Sequence, residues 1–378
     1  MSSGGNPADG RARVLIVDDS TFMRMVLRRI IEADGDLVVV GEARNGCEAV
    51  AQARELKPDI ITMDVEMPEL DGLSATRQIL AEATARPTIL MVSIHTQEGA
   101  DTTIRALRAG AADFVSKSSA FATEDLGHVD KELREKLAFW AQRRRQPRRG
   151  EPIAPPPAPA QPATAPPAAL ERPLPQPPRA RVDLVVVAAS TGGPQTLPLL
   201  LRGATPLGAP MVIAQHMPEH FTRSLAELLR TESGLDVREG EHRMPLGAGT
   251  VTIIPGGRDA VVAAVPAGYE LRLASSESLV HPCADMLFEA AAMVGRQPVG
   301  VVLTGMGEDG TRGAAMLRRR LLPILVQDPK TCVVGGMPAA AIAAGVATET
   351  LDPLEIGRKL SRWTGADYSP RVHNTEPQ

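Results

Sequence analysis

The chain has 378 residues, 43% of them apolar and 23% charged, with a formal net charge of −4. That length exceeds one ordinary core and predicts two domains with a connector. The weak negative charge excludes a global field drawing the chain onto nucleic acid, and no window approaches the roughly 18 uncharged apolar residues that direct membrane insertion needs.

From the N-terminus, the apolar runs VLIV (14–17), LVVV (37–40), IIT (60–62), TILMV (88–92) and ADFV (112–115) alternate with amphipathic stretches such as 20–32, 46–56, 98–109 and 124–141. Five strand–helix repeats predict a doubly wound parallel α/β sheet over residues 11–142. Thirteen of the 33 prolines then fall within 143–180. Such a run lacks backbone donors and large apolar side chains, so it predicts an extended linker rather than a core. Its opening RRRQPRRG has no aromatic residues for base stacking and is read as a solvated linker start. The alternation returns with LVVVAA (184–189), MVIAQ (211–215), VTIIP (251–255), VGVVLT (299–304) and PILVQ (323–327). A hairpin over 261–273 turns at Pro-Ala-Gly. A second α/β domain therefore spans 181–366. The N-terminal MSSGGNPADG has no signal pattern, and Cys47, Cys283 and Cys332 form no CxxC pair, so a cytoplasmic location is expected. Neither Cys283 nor Cys332 has a neighbour in sequence that argues for catalysis, and both are placed on mobile segments.

Asp18 and Asp19 end the first run and Asp64 ends the third. Strand ends on the carboxyl side of a parallel sheet open onto one crevice, so the three carboxylates should converge there. Close carboxylates repel unless a cation lies among them, and oxygen-only ligation suits Mg2+. Ser93 and Lys117, after the fourth and fifth runs, would add a hydroxyl and an ammonium for phosphoryl oxygens. Taken singly, an Asp after a strand is more often a helix N-cap or a solvated turn. With these residues at successive strand ends, 13–117 resembles the receiver domain of two-component response regulators, of flavodoxin-like fold. The resemblance implies that Asp64 accepts the phosphoryl group, that Asp18 and Asp19 help bind Mg2+, and that Ser93 and Lys117 sense the phosphate. Ser118 departs from the family, which carries proline after the lysine.

Ser190 sits where LVVVAA turns into STGGP, and the residues alone leave several readings open. A P-loop needs GxxxxGK[ST] and a dinucleotide site GxGxxG, and neither is present. A serine N-cap for a helix at 191–202 is the plain reading. A displayed nucleophile needs a base and an orienting acid. Among seven histidines only His216 directly follows an apolar strand of the second domain, and Glu308 and Asp309 follow another in VGVVLTGMGEDG. Glycines at 305, 307 and 310 would expose main-chain N–H groups for an oxyanion.

The motifs ASTGG (189–193), QHMPEHFTRSLAELL (215–229), TGMGEDG (304–310) and VVGGMPAAAI (333–342) resemble the catalytic domain of chemotaxis protein-glutamate methylesterases, the CheB family. The resemblance implies a Rossmann-like parallel-sheet hydrolase with Ser190 as nucleophile, His216 as base and Asp309 as orienting acid. Thr191 and Met306 become candidate oxyanion donors, and no cofactor is needed for ester hydrolysis. It further implies methyl-accepting chemoreceptors as substrates, deamidation of their glutamines, and a chemotaxis sensor histidine kinase as phosphodonor. Two alternatives stand beside it: the same enzyme serving a receptor array outside chemotaxis, and a non-enzymatic response regulator with a binding output domain. Ala188, where glycine is usual, is expected to tighten the turn before Ser190. Gly335, where an aromatic residue is usual, is expected to alter substrate contact or docking.

Overall fold

The computed structural model describes residues 10–33, 35–83, 86–94, 96–117, 127–145, 178, 180–278 and 280–365. Contacts divide the chain into two units, Met1–Arg149 and Gly150–Gln378. Ser118 and all but the ends of the proline-rich linker lie outside the described residues.

The first unit runs β1 (Ala12–Val17), α1 (Thr21–Glu32), β2 (Leu37–Ala43), α2 (Gly46–Leu56), β3 (Ile60–Asp64), α3 (Gly72–Glu82), β4 (Thr88–Ile94), α4 (Gln97–Ala109), β5 (Asp113–Lys117) and α5 (Gly127–Arg145). Its five strands lie in the order β2-β1-β3-β4-β5, all parallel. Val14 to Val17 and Ile60 to Ile61 are fully buried, because helices on both faces of a parallel sheet turn its strands into continuous apolar runs. Ser20, Asn45, Asp71 and Thr96 start α1 to α4 with side-chain oxygens that accept the N–H three residues on. Each such cap contributes about 1 kcal/mol.

The second unit runs β6 (Leu184–Ala189), α6 (Gly193–Gly203), β7 (Met211–Gln215), α7 (Phe221–Ser233), β8 (Asp236–Glu239), β9 (Met244–Leu246), β10 (Thr250–Ile253), β11 (Asp259–Val265) and β12 (Gly268–Ala274). It continues with α8 (Ala284–Val294), β13 (Pro298–Val302), α9 (Thr311–Arg319), β14 (Ile324–Gln327), α10 (Gly336–Ala343), β15 (Glu349–Leu351) and α11 (Pro353–Thr364). Seven parallel strands lie in the order β15-β14-β13-β6-β7-β10-β8. The hairpin β11–β12 turns at Pro266-Ala267 and joins β9 in a separate antiparallel sheet. Leu184, Val186 and Ala188 point to one face and pack with Leu287 and Phe288 of α8 and Leu317 of α9. On α6, the contacts are to α7 and α11. The centre of this sheet, β13-β6-β7, brings three strand ends side by side. No described helix is long and apolar enough to cross a membrane.

Candidate active site

Ser190 leaves β6 between two neighbours that hold its backbone. The Ser190 N–H donates to Thr304 O (3.0 Å), just past β13, and the His216 N–H donates to Ala189 O (2.9 Å) from the end of β7. The expected Ser190 cap is corrected: α6 starts two residues later, and its cap is Gly192 in the left-handed region at φ +84°. A Cβ at 192 would also lie 2.4 Å from Val333 Cβ, so both φ and the close approach require glycine. Ser190 thus stands clear of the helix, in the turn that precedes it.

His216 Nε2 bonds Asp309 Oδ2 at 2.8 Å. The same oxygen accepts the Ala284 N–H (2.7 Å), while Oδ1 accepts the N–H groups of Asp285 (3.0 Å) and Gly310 (2.9 Å). Asp309 therefore sits on the N-terminus of α8, where unsatisfied N–H groups and the helix dipole favour an anion. Burial works to raise the Asp309 pKa, but the His216 bond and charge, with the two α8 N–H groups, outweigh it and hold the carboxyl below its ordinary value. With Nε2 committed to Asp309, Nδ1 is the ring nitrogen left to take a proton. Among the described residues Ser190 Oγ and His216 form no hydrogen bond, as is common before substrate tightens a site. Gly305 lies against the serine: a Cβ there would be 2.7 Å from Ser190 Cβ. The next residue, Met306, is on the half-exposed loop, and its N–H has no acceptor among the described residues. Thr191 is buried, and its carbonyl accepts from the Thr304 hydroxyl (2.9 Å).

Several parts of this arrangement carry no obvious sequence signal. Cys283 is buried and caps α8, with Sγ 3.8 Å from Asp309 Oδ1, and Cys332 is buried too. Asp259 accepts from His281 Nδ1 (3.0 Å), Ser276 Oγ (2.7 Å) and Cys283 N–H (2.7 Å), so it ties the segment entering α8 to the start of β11. Ala188 lies within β6, two residues before Ser190. Its methyl is in the core, 3.1 Å from where a Cβ on Gly310 would sit, and the missing Cβ makes the room. Gly335 has φ −91°, and a Cβ there would meet Pro329 at an ordinary 3.6 Å. The backbone does not require glycine at 335, and an aromatic side chain could start over Pro329.

Asp285 gives a test of these electrostatics. Burial, aided by the charge of Asp309, pushes its pKa up to about 6 from an ordinary 3.8, against the Gly313 N–H and Arg312. A carboxyl raised in the folded state contributes stability below its unfolded pKa and loses it as pH rises through the folded one. Asp285→Asn keeps an acceptor for Gly313 N–H (2.8 Å) and cannot ionise. Relative to the parent it should gain roughly 1–2 kcal/mol between pH 4 and pH 7.5. Calorimetry at the two pH values checks this, and an equal difference at both contradicts it.

In the first unit, the carboxylate oxygens of Asp18, Asp19 and Asp64 lie within 4.8 Å of one another. Lys117 Nζ is 2.8 Å from both Asp18 Oδ2 and Asp64 Oδ2. Asp64 Oδ1 accepts the Val65 N–H (2.7 Å), while Oδ2 is the oxygen that faces Lys117. Burial, reinforced by Asp18, pushes Asp64 up to about 6 although Lys117 pulls it down. Three converging oxygen donors with excess negative charge fit a hard divalent cation. Ser93 is fully buried near the end of β4, opposite Ser116 of β5.

Residues 185–360 match the family described as CheB methylesterase, and residues 14–126 match the response regulator receiver domain. A protein-glutamate methylesterase/protein-glutamine glutaminase of Nocardioides sp. is 41% identical over 353 residues, covering 93% of this chain and 94% of that one. Its namesake in Thermotoga maritima is 38% identical over 352 residues, covering 92% and 97%. The crystal structure of the Thermotoga maritima CheB methylesterase catalytic domain is 35% identical, covers 48% of this chain and 97% of that one, and has a TM-score of 0.46. A receiver followed by a methylesterase domain, with relatives that match along almost the whole length, means that the chain belongs to the CheB family of response-regulator methylesterases.

Proposed function

We propose that the protein is a phosphorylation-regulated hydrolase that removes methyl esters from glutamate side chains of methyl-accepting chemoreceptors and deamidates receptor glutamines. The observation that carries this reading is the 2.8 Å His216–Asp309 bond beside the Ser190 turn, at the ends of three adjacent strands. Ser190 Oγ attacks the ester carbonyl as its proton passes to His216 Nδ1, and Asp309 stabilises the imidazolium. The Met306 N–H, with Thr191 as the second candidate, receives the oxyanion. Collapse breaks the C–O bond, and His216 returns the proton to the departing methanol. Water, deprotonated by His216, then attacks the acyl-serine, and His216 returns that proton to Ser190 Oγ as the glutamate carboxylate leaves. With a glutamine substrate ammonia leaves instead, and the rest is unchanged.

Asp18, Asp19 and Asp64 would hold Mg2+, which when bound neutralises phosphoryl oxygens. Asp64 Oδ2 accepts the phosphoryl group from a sensor histidine kinase in the cytoplasm. Lys117, released from that carboxylate oxygen, pairs with a phosphoryl oxygen, and Ser93 reports the phosphate to β4. A methylated receptor incubated with the full chain should lose methyl groups by mass spectrometry, faster with Mg2+ and acetyl phosphate. Asp64→Asn should keep the basal rate and lose the acceleration. An unmethylated product that never forms rules out the esterase, and a rate indifferent to phosphodonor rules out the regulation.

A further inference from the structure

Gln215 closes β7 immediately before His216 and is 1% exposed. Its Nε2 donates to two carbonyls, Ser190 O at 2.9 Å and His216 O at 3.2 Å. An amide nitrogen has two hydrogens, so one can go to each. The Ser190 carbonyl accepts a second bond from the Gly193 N–H (2.8 Å), which fills both of its lone pairs. Past the His216 N–H to Ala189 bond, no backbone hydrogen bond joins residue 190 to residue 216 among the described residues. There the two strands diverge, one into the turn before α6 and the other towards α7. The Gln215 amide bridges that divergence.

The other end of the side chain is unusual. Gln215 Oε1 is buried without a hydrogen-bond partner among the described residues. It lies against Gly193, where a Cβ would come within 1.8 Å of it, and the three nearest atoms around that Cβ all belong to Gln215. A buried acceptor left unpaired costs stability. The residue is satisfied only at the end that faces the two carbonyls.

We propose that Gln215 is a positioning residue that sets the separation of the Ser190 turn from the His216 turn. The proposal rests on the reading of Ser190 and His216 as nucleophile and base. Gly193 belongs to the same device, since any larger residue would displace the amide.

Gln215→Met keeps the length and burial and removes both donors. In the full chain it should lower kcat on methylated receptor about 10- to 100-fold with KM within about twofold, as expected for a small misplacement of reacting groups. The rate of Ser190 labelling by a fluorophosphonate probe should fall by the same factor, while the thermal midpoint stays unmoved. Gly193→Ala pushes the amide aside by another route and should reproduce the loss. Added to Gln215→Ala, it should lower kcat no further, because the two act through one contact. Gln215→Met with parental kcat and labelling rate overturns the proposal, as does a loss seen only in KM or in thermal midpoint. A parent protein labelled at Ser190 but inert towards methylated receptor would defeat the methylesterase reading, and the labelling rates would still decide the role of Gln215.

Discussion

Ser190→Ala should lower kcat for receptor demethylation by about 10^4- to 10^6-fold, and His216→Ala should do the same. The hydroxyl is the bond-forming atom in the proposed reaction, and the imidazole is what makes it reactive, so neither has a use without the other. The double variant should therefore be no slower than either single one. Among the described residues Ser190 Oγ makes no hydrogen bond, so the substitution removes no contact that holds the fold. Thermal stability and KM should stay near those of the parent. The residual rate should exceed that in water, because in the proposed reaction the Met306 N–H still meets the oxyanion. Methanol release under saturating substrate measures all of this. A Ser190→Ala enzyme within tenfold of the parent would remove Ser190 from the chemistry, and additive losses in the double variant would separate the two residues.

The elements legible in the sequence were those that a buried parallel sheet writes in apolar letters. LVVVAA and MVIAQ coincide with β6 and β7 to the residue. The short edge strands β8 and β15 and the small β9 are polar or half-exposed, and no apolar run marks them. In the site, the side chains that could do chemistry were visible because they follow strands. What surrounds Asp309 was not, since the donors are main-chain N–H groups of Ala284, Asp285 and Gly310, and any residue but proline provides one. Ser190 was ambiguous for the same reason: a serine before a helix reads as a cap, and only backbone dihedrals show that Gly192 holds that place. Gln215 did leave a trace, a polar residue ending an otherwise apolar strand, but its partners are carbonyls that no letter records.

Asp309→Asn is the sharper probe of that hidden part. The carboxylate offers two oxygens, and the site uses both: Oδ2 towards His216 Nε2 and Ala284 N–H, Oδ1 towards the N–H groups of Asp285 and Gly310. An asparagine has one oxygen, so its NH2 must face one of these pairs. Facing Asp285 and Gly310, it would oppose two fixed backbone donors. Facing His216 and Ala284 it opposes only one, because the imidazole can change tautomer. The oxygen therefore turns to Asp285 and Gly310, and the NH2 donates to Nε2. Nδ1 then carries the ring proton and cannot accept one from Ser190. The expected fall in kcat is about 10^4-fold, the scale set by a misassigned tautomer in a triad. Stability should drop by about 1–3 kcal/mol, since the Ala284 N–H loses its acceptor. NMR of the His216 ring nitrogens at alkaline pH distinguishes the cause: the proton should reside on Nε2 in the parent and on Nδ1 in the variant. A variant that keeps the proton on Nε2 yet loses activity would show that Asp309 acts through its charge alone, not through the tautomer it imposes.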